Sequence, residues 1–212
     1  LDTDMIVNQS IDDFYFCDLK GKKIAACAEI IHEPPFGNYR DELFAPLFSA
    51  GFSYFNSGTI LYDLRALRTD CSFQTYMELA EKLDYRIQFP DQDLLNYRHS
   101  TETLFVDPLR YNLNARYAYD IYSMRYNDMK QNACIIHYAT SKPWRGNFVH
   151  YNVEQIWWDY AKQTPFYTEL LQEALTNTAV NSYITNLLEQ NEALYACIEK
   201  YDQLLSDAGI TL

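Results

Sequence analysis

Positive charge is scarce in this 212-residue chain, where 17 lysines and arginines stand against 29 aspartates and glutamates for a formal net charge of −12. A field of that sign repels phosphate backbones, which argues against a nucleic-acid partner. Any phosphate-bearing ligand then needs a local metal or a few placed cations. Cysteine is sparse and unpaired: Cys17, Cys27, Cys71, Cys134 and Cys197 are odd in number, widely spaced and never arranged as CxxC. That excludes a disulfide framework and a zinc site, and fits free thiols in a reducing cytoplasm. No apolar run approaches the length of a membrane span, so no transmembrane segment is expected. A signal-peptide pattern, internal repeats and low-complexity tracts are also missing. What the chain does have is apolar bulk, 48% hydrophobic with 16% aromatic, enough to bury a substantial core.

Along the chain, residues 1–10 read as a strand end running into a polar loop. Residues 11–22 read as a short helix closing at Gly21, and KIAACAEII as a buried strand. The turn formers of HEPPFGNYRDEL predict a loop. FSYFNSGTILYDL predicts a second strand, followed by one amphipathic helix from Arg65 to about Leu83. An apolar helix starts after Pro90, and TLFVDPLRYNLN reads as strand and loop. The tyrosine-rich residues 117–131 are left as helix or mobile loop. ACIIHYAT is a buried strand ending at a histidine, KPWRGNF is a loop, and from Tyr151 the pattern is helical with a break near Thr164-Pro165. Strands and helices alternating without a fixed period imply α/β with a mixed sheet.

Four groups of residues could carry chemistry. Asp2 and Asp4 stand at i and i+2; on an extended segment their carboxylates would point the same way and could share one cation, or they could simply cap a solvated strand end. A dehalogenase-type phosphatase would want Thr or Val where Ile6 stands. His137, where a buried strand emerges, is either a satisfied core histidine or a ligand, and Lys142-Pro143-Trp144 follows it on a proline-fixed loop. Phe55-Asn56-Ser57-Gly58 and Asp91-Gln92-Asp93 place amides beside carboxylates, as hydroxyl-rich sugars require. Each also has a plain reading, the first as a β-turn and the second as a helix N-terminus capped by Asp91.

Taken together, LDTD, YFNSGTILYDL, FPDQDLLN, RYNLN and IIHYATSKPW occur in an order that resembles glycosyltransferase family 8 over roughly residues 1–160. That family comprises retaining hexosyltransferases, among them lipopolysaccharide galactosyl- and glucosyltransferases and glycogenin. The resemblance implies a nucleotide-sugar transferase domain of GT-A type. Residues 1–160 would be its catalytic part, beginning at the end of a central strand, with an N-terminal nucleotide-binding half expected upstream; residues 161–212 would form a helical extension. It further implies that Asp2, Asp4 and His137 hold manganese, with magnesium as the alternative. Two hard carboxylates and a borderline imidazole suit such an ion. Lys142 would pair with the donor diphosphate, and Asn56, Asp91 and Gln92 would face the donor sugar, with Gln92 and Asp91 nearest the reaction. One departure stands out: Thr140 occupies the family's usual glycine place, which puts the reach of Lys142 in question. The expected activity is transfer of galactose or glucose from a UDP-sugar to a saccharide or glycan acceptor, such as a lipopolysaccharide or other cell-surface glycan. A glycogenin-like self-glucosylating protein, prompted by 19 tyrosines, and a non-catalytic nucleotide-sugar-binding protein are the alternatives.

In the tail, Ile184, Leu187, Asn191, Leu194, Ile198, Tyr201 and Leu205 alternate in steps of three and four, the a and d seats of a heptad. Leu188, Tyr195 and Leu204 widen the stripe. A long C-terminal helix follows, packed on its own domain or pairing in a homodimer. Its acidic residues Glu189, Glu192, Glu199, Asp202 and Asp207 suit it poorly to an anionic membrane. The expected location is cytoplasmic, with a peripheral membrane contact left open.

Overall fold

A computed structural model describes residues 1–29, 38–140, 142–145 and 151–207. It divides into two compact units, one formed by Leu1–Thr140 with His150–Ile156 and the other by Ser141–Val149 with Trp157–Leu212. The first unit contains, in chain order, β1 (Met5–Val7), α1 (Asp12–Tyr15), β2 (Ile24–Ala28), α2 (Asn38–Ser49) and β3 (Phe55–Tyr62). Then come α3 (Leu64–Asp70), α4 (Phe73–Lys82), α5 (Pro90–His99), β4 (Thr103–Val106) and α6 (Pro108–Tyr111). It continues with β5 (Leu113–Asn114), α7 (Ala115–Asp120), α8 (Tyr126–Asn132) and β6 (Ile135–His137). After these, α9 (Tyr151–Ala161) straddles the division, and α10 (Tyr167–Asp207) belongs to the second unit.

The strands form two mixed three-stranded sheets, in the orders β1-β6-β5 and β3-β2-β4. In the first, β1 runs antiparallel to β6 with Met5 opposite His137, and β5 runs parallel to β6 with Asn114 opposite His137. In the second, β2 is antiparallel to β3 and parallel to β4. The Ile24–Cys27 run of β2 is wholly buried, as its unbroken small and apolar sequence dictates for a strand covered on both faces. Ile24, Ala26 and Phe55 form one apolar cluster with Leu67 and Leu95 against them, and Leu43, Phe44, Tyr54 and Leu83 form another.

Several expectations change at identifiable chemistry. The single helix expected over 65–83 is two, because Ser72 and Thr75 form a capping box that starts α4 afresh after Cys71. Residues 38–43, expected as loop, belong to α2, while residues 32–37 of that expected loop lie outside the described residues. The helix expected to reach Gly21 stops at Tyr15, and Lys20 and Gly21 turn the chain with φ of 51° and 76°. The tyrosine-rich stretch is helical in α7 and α8, with Asn114 capping the first by accepting from the Arg116 and Tyr117 amides. Thr3 and Asp4 form a turn entering β1, with Asp2 just before it, rather than extended chain, and β1 lies at one side of its three-stranded sheet. FNSG is no β-turn either. Between the pairs Ala26–Ile60 and Cys27–Asn56 the register of β3 slips, leaving Ser57, Gly58 and Thr59 as a bulge.

Residues 108–111 of TLFVDPLRYNLN, expected as strand and loop, form the helix α6 between β4 and β5, with Asp107 as its cap and Pro108 in its first turn. Three local expectations hold. Pro90 sits at the first turn of α5, β6 ends at His137, and the break near Thr164-Pro165 separates α9 from α10. KPWRGNF contains a 3-10 turn at Pro143–Arg145, with residues 146–148 outside the described residues. In the second unit Trp144, Trp157, Trp158 and Tyr167 form a chain of ring contacts, with centroids 4.9–6.2 Å apart, around buried Ala161 and Ala174. Along α10, Leu187, Asn191, Leu194 and Ile198 of the heptad stripe are exposed. The side chains of Ile184, Leu188, Tyr201, Leu204 and Leu205 lie outside the described residues. Among the described residues, no helix is long and apolar enough to cross a membrane. Cys27 and Cys134 are buried free thiols, while Cys17 and Cys71 are half-buried.

Candidate active site

The two sheets each bring different chemistry to one cavity of about 460 Å3 in the first unit. From the first sheet come Asp2 and Asp4, at the turn before β1, and His137, the last residue of β6. The β1–β6 ladder fixes their relation, and the Tyr138 amide continues it by donating to the Asp4 carbonyl at 2.9 Å. The His137 Nε2 lies 3.3 Å from Asp4 Oδ1 and 4.0 Å from Asp2 Oδ2. The ligand atoms of all three fall within 4.8 Å of one another. Around a hard cation with bonds near 2.1 Å, neighbouring ligands sit about 3 Å apart and opposite ones about 4.2 Å. The trio therefore fits such an ion after small side-chain adjustments. The ring of His137 is buried, Asp4 is partly covered, and the Asp2 side chain is half exposed, leaving one side of the trio open to the cavity.

The His137 ring is seated by its neighbours. Its Nδ1 is 2.8 Å from Asn112 Oδ1, and Asn112 Nδ2 donates in turn to Asn56 Oδ1 at 2.8 Å. Gly58 lies close against the same ring: a Cβ there would come within 2.7 Å of His137 Cε1. The bulge is also tied to the turn, since the Asp2 amide donates to the Gly58 carbonyl at 2.9 Å.

The second sheet contributes the groups suited to hydroxyls. Asn96 of α5 brackets the Phe55 backbone, accepting from its N–H at 2.7 Å and donating to its C=O at 2.8 Å, so α5 is locked to the edge of β3. That lock sets Asp91 and Gln92 beside the bulge. Gln92 Oε1 accepts from the Ser57 amide at 2.8 Å, and its Nε2 donates to the Tyr54 hydroxyl at 3.1 Å. Tyr54 donates onward to Asp93 Oδ1 at 2.6 Å. Asp93, fully buried, also accepts from the Gln88 and Phe89 amides, supplying the cap that Phe89 has no side-chain oxygen to provide. The Asp91 carboxylate accepts from the Ser57 hydroxyl at 3.0 Å and is exposed. Asn56 has both acceptor positions engaged, by the Gly58 amide and Asn112, and one amide proton on Glu29 Oε2 at 2.7 Å. It can offer a ligand one remaining N–H.

Six of the seven residues singled out from sequence thus line one cavity: Asp2, Asp4, His137, Asn56, Asp91 and Gln92. Lys142 belongs to the second unit, where its carbonyl accepts from the Arg145 amide in the 3-10 turn. Sequence reasoning missed Glu29, Asn114 and Tyr117, which line the cavity, and Asn112, which touches His137. The RYNLN block held Asn112 and Asn114 in plain view, and Glu29 stands one residue beyond a buried strand, but no local pattern aims any of them at His137. The cavity lining holds four carboxylates, those of Asp2, Asp4, Glu29 and Asp91, and neither lysine nor arginine among the described residues. Such a lining suits a cation and hydroxyl groups and disfavours an anion that arrives without positive charge beside it.

Comparison with known proteins places the chain in a family. The family model described as Glycosyl transferase family 8 matches residues 1–147. A putative glycosyltransferase of Haemophilus influenzae is 27% identical over 97 residues, 45% of this chain and 28% of that protein. The glycosyltransferase GlyF of Streptococcus pneumoniae is 26% identical over 166 residues, 76% of this chain and 36% of that protein. The chain therefore spans about a third of the length of these relatives. Among solved structures, the galactosyltransferase LgtC in complex with donor and acceptor sugar analogues superposes with a TM-score of 0.57 at 23% identity, covering 80% of this chain and 58% of that one. The fold is accordingly of the GT-A type, mixed α/β.

Proposed function

Because the chain belongs to glycosyltransferase family 8, we propose that it carries the catalytic part of an enzyme that moves galactose or glucose from a UDP-sugar to a saccharide or glycan acceptor. A divalent cation, manganese or magnesium, would be held by Asp2, Asp4 and His137. The observation that carries this reading is the cavity itself, where a cation-ligating trio faces a second wall of amides and hydroxyls. LgtC, the similar galactosyltransferase, was solved with donor and acceptor sugar analogues, which supports a sugar donor and acceptor here.

In this reading the cation supplies Lewis-acid stabilisation of the leaving diphosphate. Lys142 adds a second positive charge to the diphosphate. Asp91, Asn56 and Gln92 hold the donor sugar, each with fixed donor and acceptor directions. Gln92, held at both ends of its amide, stands closest to the reacting face. An amide is a poor nucleophile, so its contribution is electrostatic, steadying positive charge that develops on the sugar. Transfer then proceeds with retention of anomeric configuration. Residues 1–160 act as the catalytic part and 161–212 as a helical extension. The exposed apolar stripe of α10 is offered as a homodimer contact. The proposed setting is cytoplasmic biosynthesis of a lipopolysaccharide or other cell-surface glycan.

Self-glucosylation is the second reading, drawing on Tyr117, which lines the cavity. Incubation with UDP-glucose or UDP-galactose and manganese, followed by intact-mass analysis and assay of released UDP, separates the cases. UDP release that depends on manganese and an added acceptor supports transfer. A hexose mass on the protein supports self-modification, and no turnover of any UDP-sugar defeats both.

A further inference from the structure

The hydrogen bonds behind His137 fix the orientation of each amide in the chain. The Gly58 backbone N–H can only donate, so the Asn56 atom it meets at 2.9 Å must be the oxygen Oδ1. That same oxygen lies 2.8 Å from the Asn112 side chain, which must present its NH2 there. The other end of the Asn112 amide is then its oxygen, 2.8 Å from His137 Nδ1. An amide oxygen can only accept, so the proton of the neutral ring sits on Nδ1. The lone pair sits on Nε2, the atom aimed at Asp4 and Asp2. Asn56 Nδ2 closes the far end on Glu29 Oε2 at 2.7 Å, confirming its orientation independently. Asn112 and His137 are both buried, so water is a poor substitute for either partner.

We propose that Asn112 is a positioning residue for the cation site. It holds the His137 ring in the tautomer that ligates through Nε2, and the Gly58 amide dictates that choice through Asn56. The assignment rests on the metal reading only for its effect on cation binding; the tautomer itself is a property of the protein alone. An imidazole free to carry its proton on Nε2 would present a donor, not a lone pair, toward the cation. Loss of such a supporting partner typically weakens metal binding about 10- to 100-fold.

The test uses the 212-residue chain with isotope-labelled histidine, its Asn112→Ala and Asn112→Asp variants, and Mn2+ alone as probe. Nitrogen NMR of the neutral ring should show the proton on Nδ1 of His137 in the unaltered chain, and a shift toward Nε2 protonation in Asn112→Ala. Mn2+ affinity, read by electron paramagnetic resonance of the free ion, should fall roughly 10- to 100-fold in Asn112→Ala. Asn112→Asp keeps an acceptor on Nδ1 but sets a carboxylate oxygen against Asn56 Oδ1, so it should recover only part of the affinity lost in Asn112→Ala. A merely structural role predicts the reverse order, because a buried carboxylate harms packing more than a small cavity does. A neutral ring protonated on Nε2 in the unaltered chain overturns the proposal, and so does unchanged Mn2+ affinity in Asn112→Ala. The tautomer in the unaltered chain decides the matter even if the alanine variant does not fold. If that tautomer is as assigned yet the chain binds no Mn2+, the metal reading fails and with it the positioning role, and the tautomer assignment alone stands.

Discussion

Adding one methyl group at Gly58 probes the cation site from a residue that ligates nothing. In Gly58→Ala the new Cβ would lie 2.6 Å from Met5 Cε, 2.7 Å from His137 Cε1 and 2.8 Å from Asn56 Oδ1, where ordinary contact begins at 3.4 Å. Met5 Cε ends a flexible side chain and can swing aside. The ring and the amide cannot do so cheaply, because both are held in the Asn56–Asn112–His137 chain of hydrogen bonds. To reach 3.4 Å the ring must retreat 0.7 Å, enough to strain its 2.8 Å bond to Asn112. Overpacking of this kind costs about 1–3 kcal/mol. Constellations of ligands tolerate only about 0.5 Å of displacement, so Mn2+ affinity should fall by at least about tenfold. Gly51→Ala is the control. Gly51 has φ +82° but open space around its Cβ position, so alanine there costs about 1–2 kcal/mol through its backbone alone. Thermal unfolding and Mn2+ titration on both variants should show two destabilised proteins, only one of which has lost metal affinity. Parental affinity in Gly58→Ala would refute the reasoning, and so would an equal loss in Gly51→Ala.

Asp4→Ala and His137→Ala should each weaken Mn2+-dependent donor binding, and the double variant should lose less than their sum, since both report one ion; additive losses in calorimetry would divide the site. Gln92→Ala should lower kcat more than it raises KM, because its electrostatic contribution is realised mainly in the transition state; a rise in KM alone would make it an ordinary binding residue. Stability should depend on pH through His99, whose pKa burial pushes below its usual 6.5 even though Glu102 sits 2.9 Å away. The unfolded chain takes up that proton near pH 6.5 while the folded one resists, so stability should fall as pH drops from about 7 past 6.5. The slope should flatten in His99→Gln, and an identical Tm-versus-pH curve for that variant would exclude the assignment.

The legible parts of the site were those encoded within a few residues. Asp2 and Asp4, Asn56, and Asp91 with Gln92 stand in short ordered blocks, and the end of β6 at His137 follows from an apolar run giving way to polar residues. The carboxylate pair converges for a reason different from the expected one, a turn into β1 in place of extended chain. Local propensity also hid the restart at Ser72, where a serine and a threonine three residues apart outweigh a continuous apolar stripe. The supporting residues were illegible because their partners are remote. Asn112 is 25 residues from His137 and 56 from Asn56, and Glu29 is 27 from Asn56. Nothing near Glu29 in the chain distinguishes it from any other carboxylate at a strand end.

The division of the cavity between two sheets has a consequence for how such a protein can diversify. Every proposed cation ligand leads or ends a strand of the β1-β6-β5 sheet, whereas Asn56, Ser57, Asp91 and Gln92 ride on β3 and the helix locked to it. The two walls meet through few bonds, chiefly the Asp2 amide on the Gly58 carbonyl and Asn112 on Asn56. Under the proposed function, drift in the bulge or the first turn of α5 retunes which sugar is accepted while the wall proposed to hold the ion is inherited unchanged, provided Gly58 and Asn56 persist as the hinge pins. For an engineer the same partition marks Ser57 and Asp91 as the places to begin a library, and the Gly58–Asn56–Asn112 line as the boundary a library should not cross.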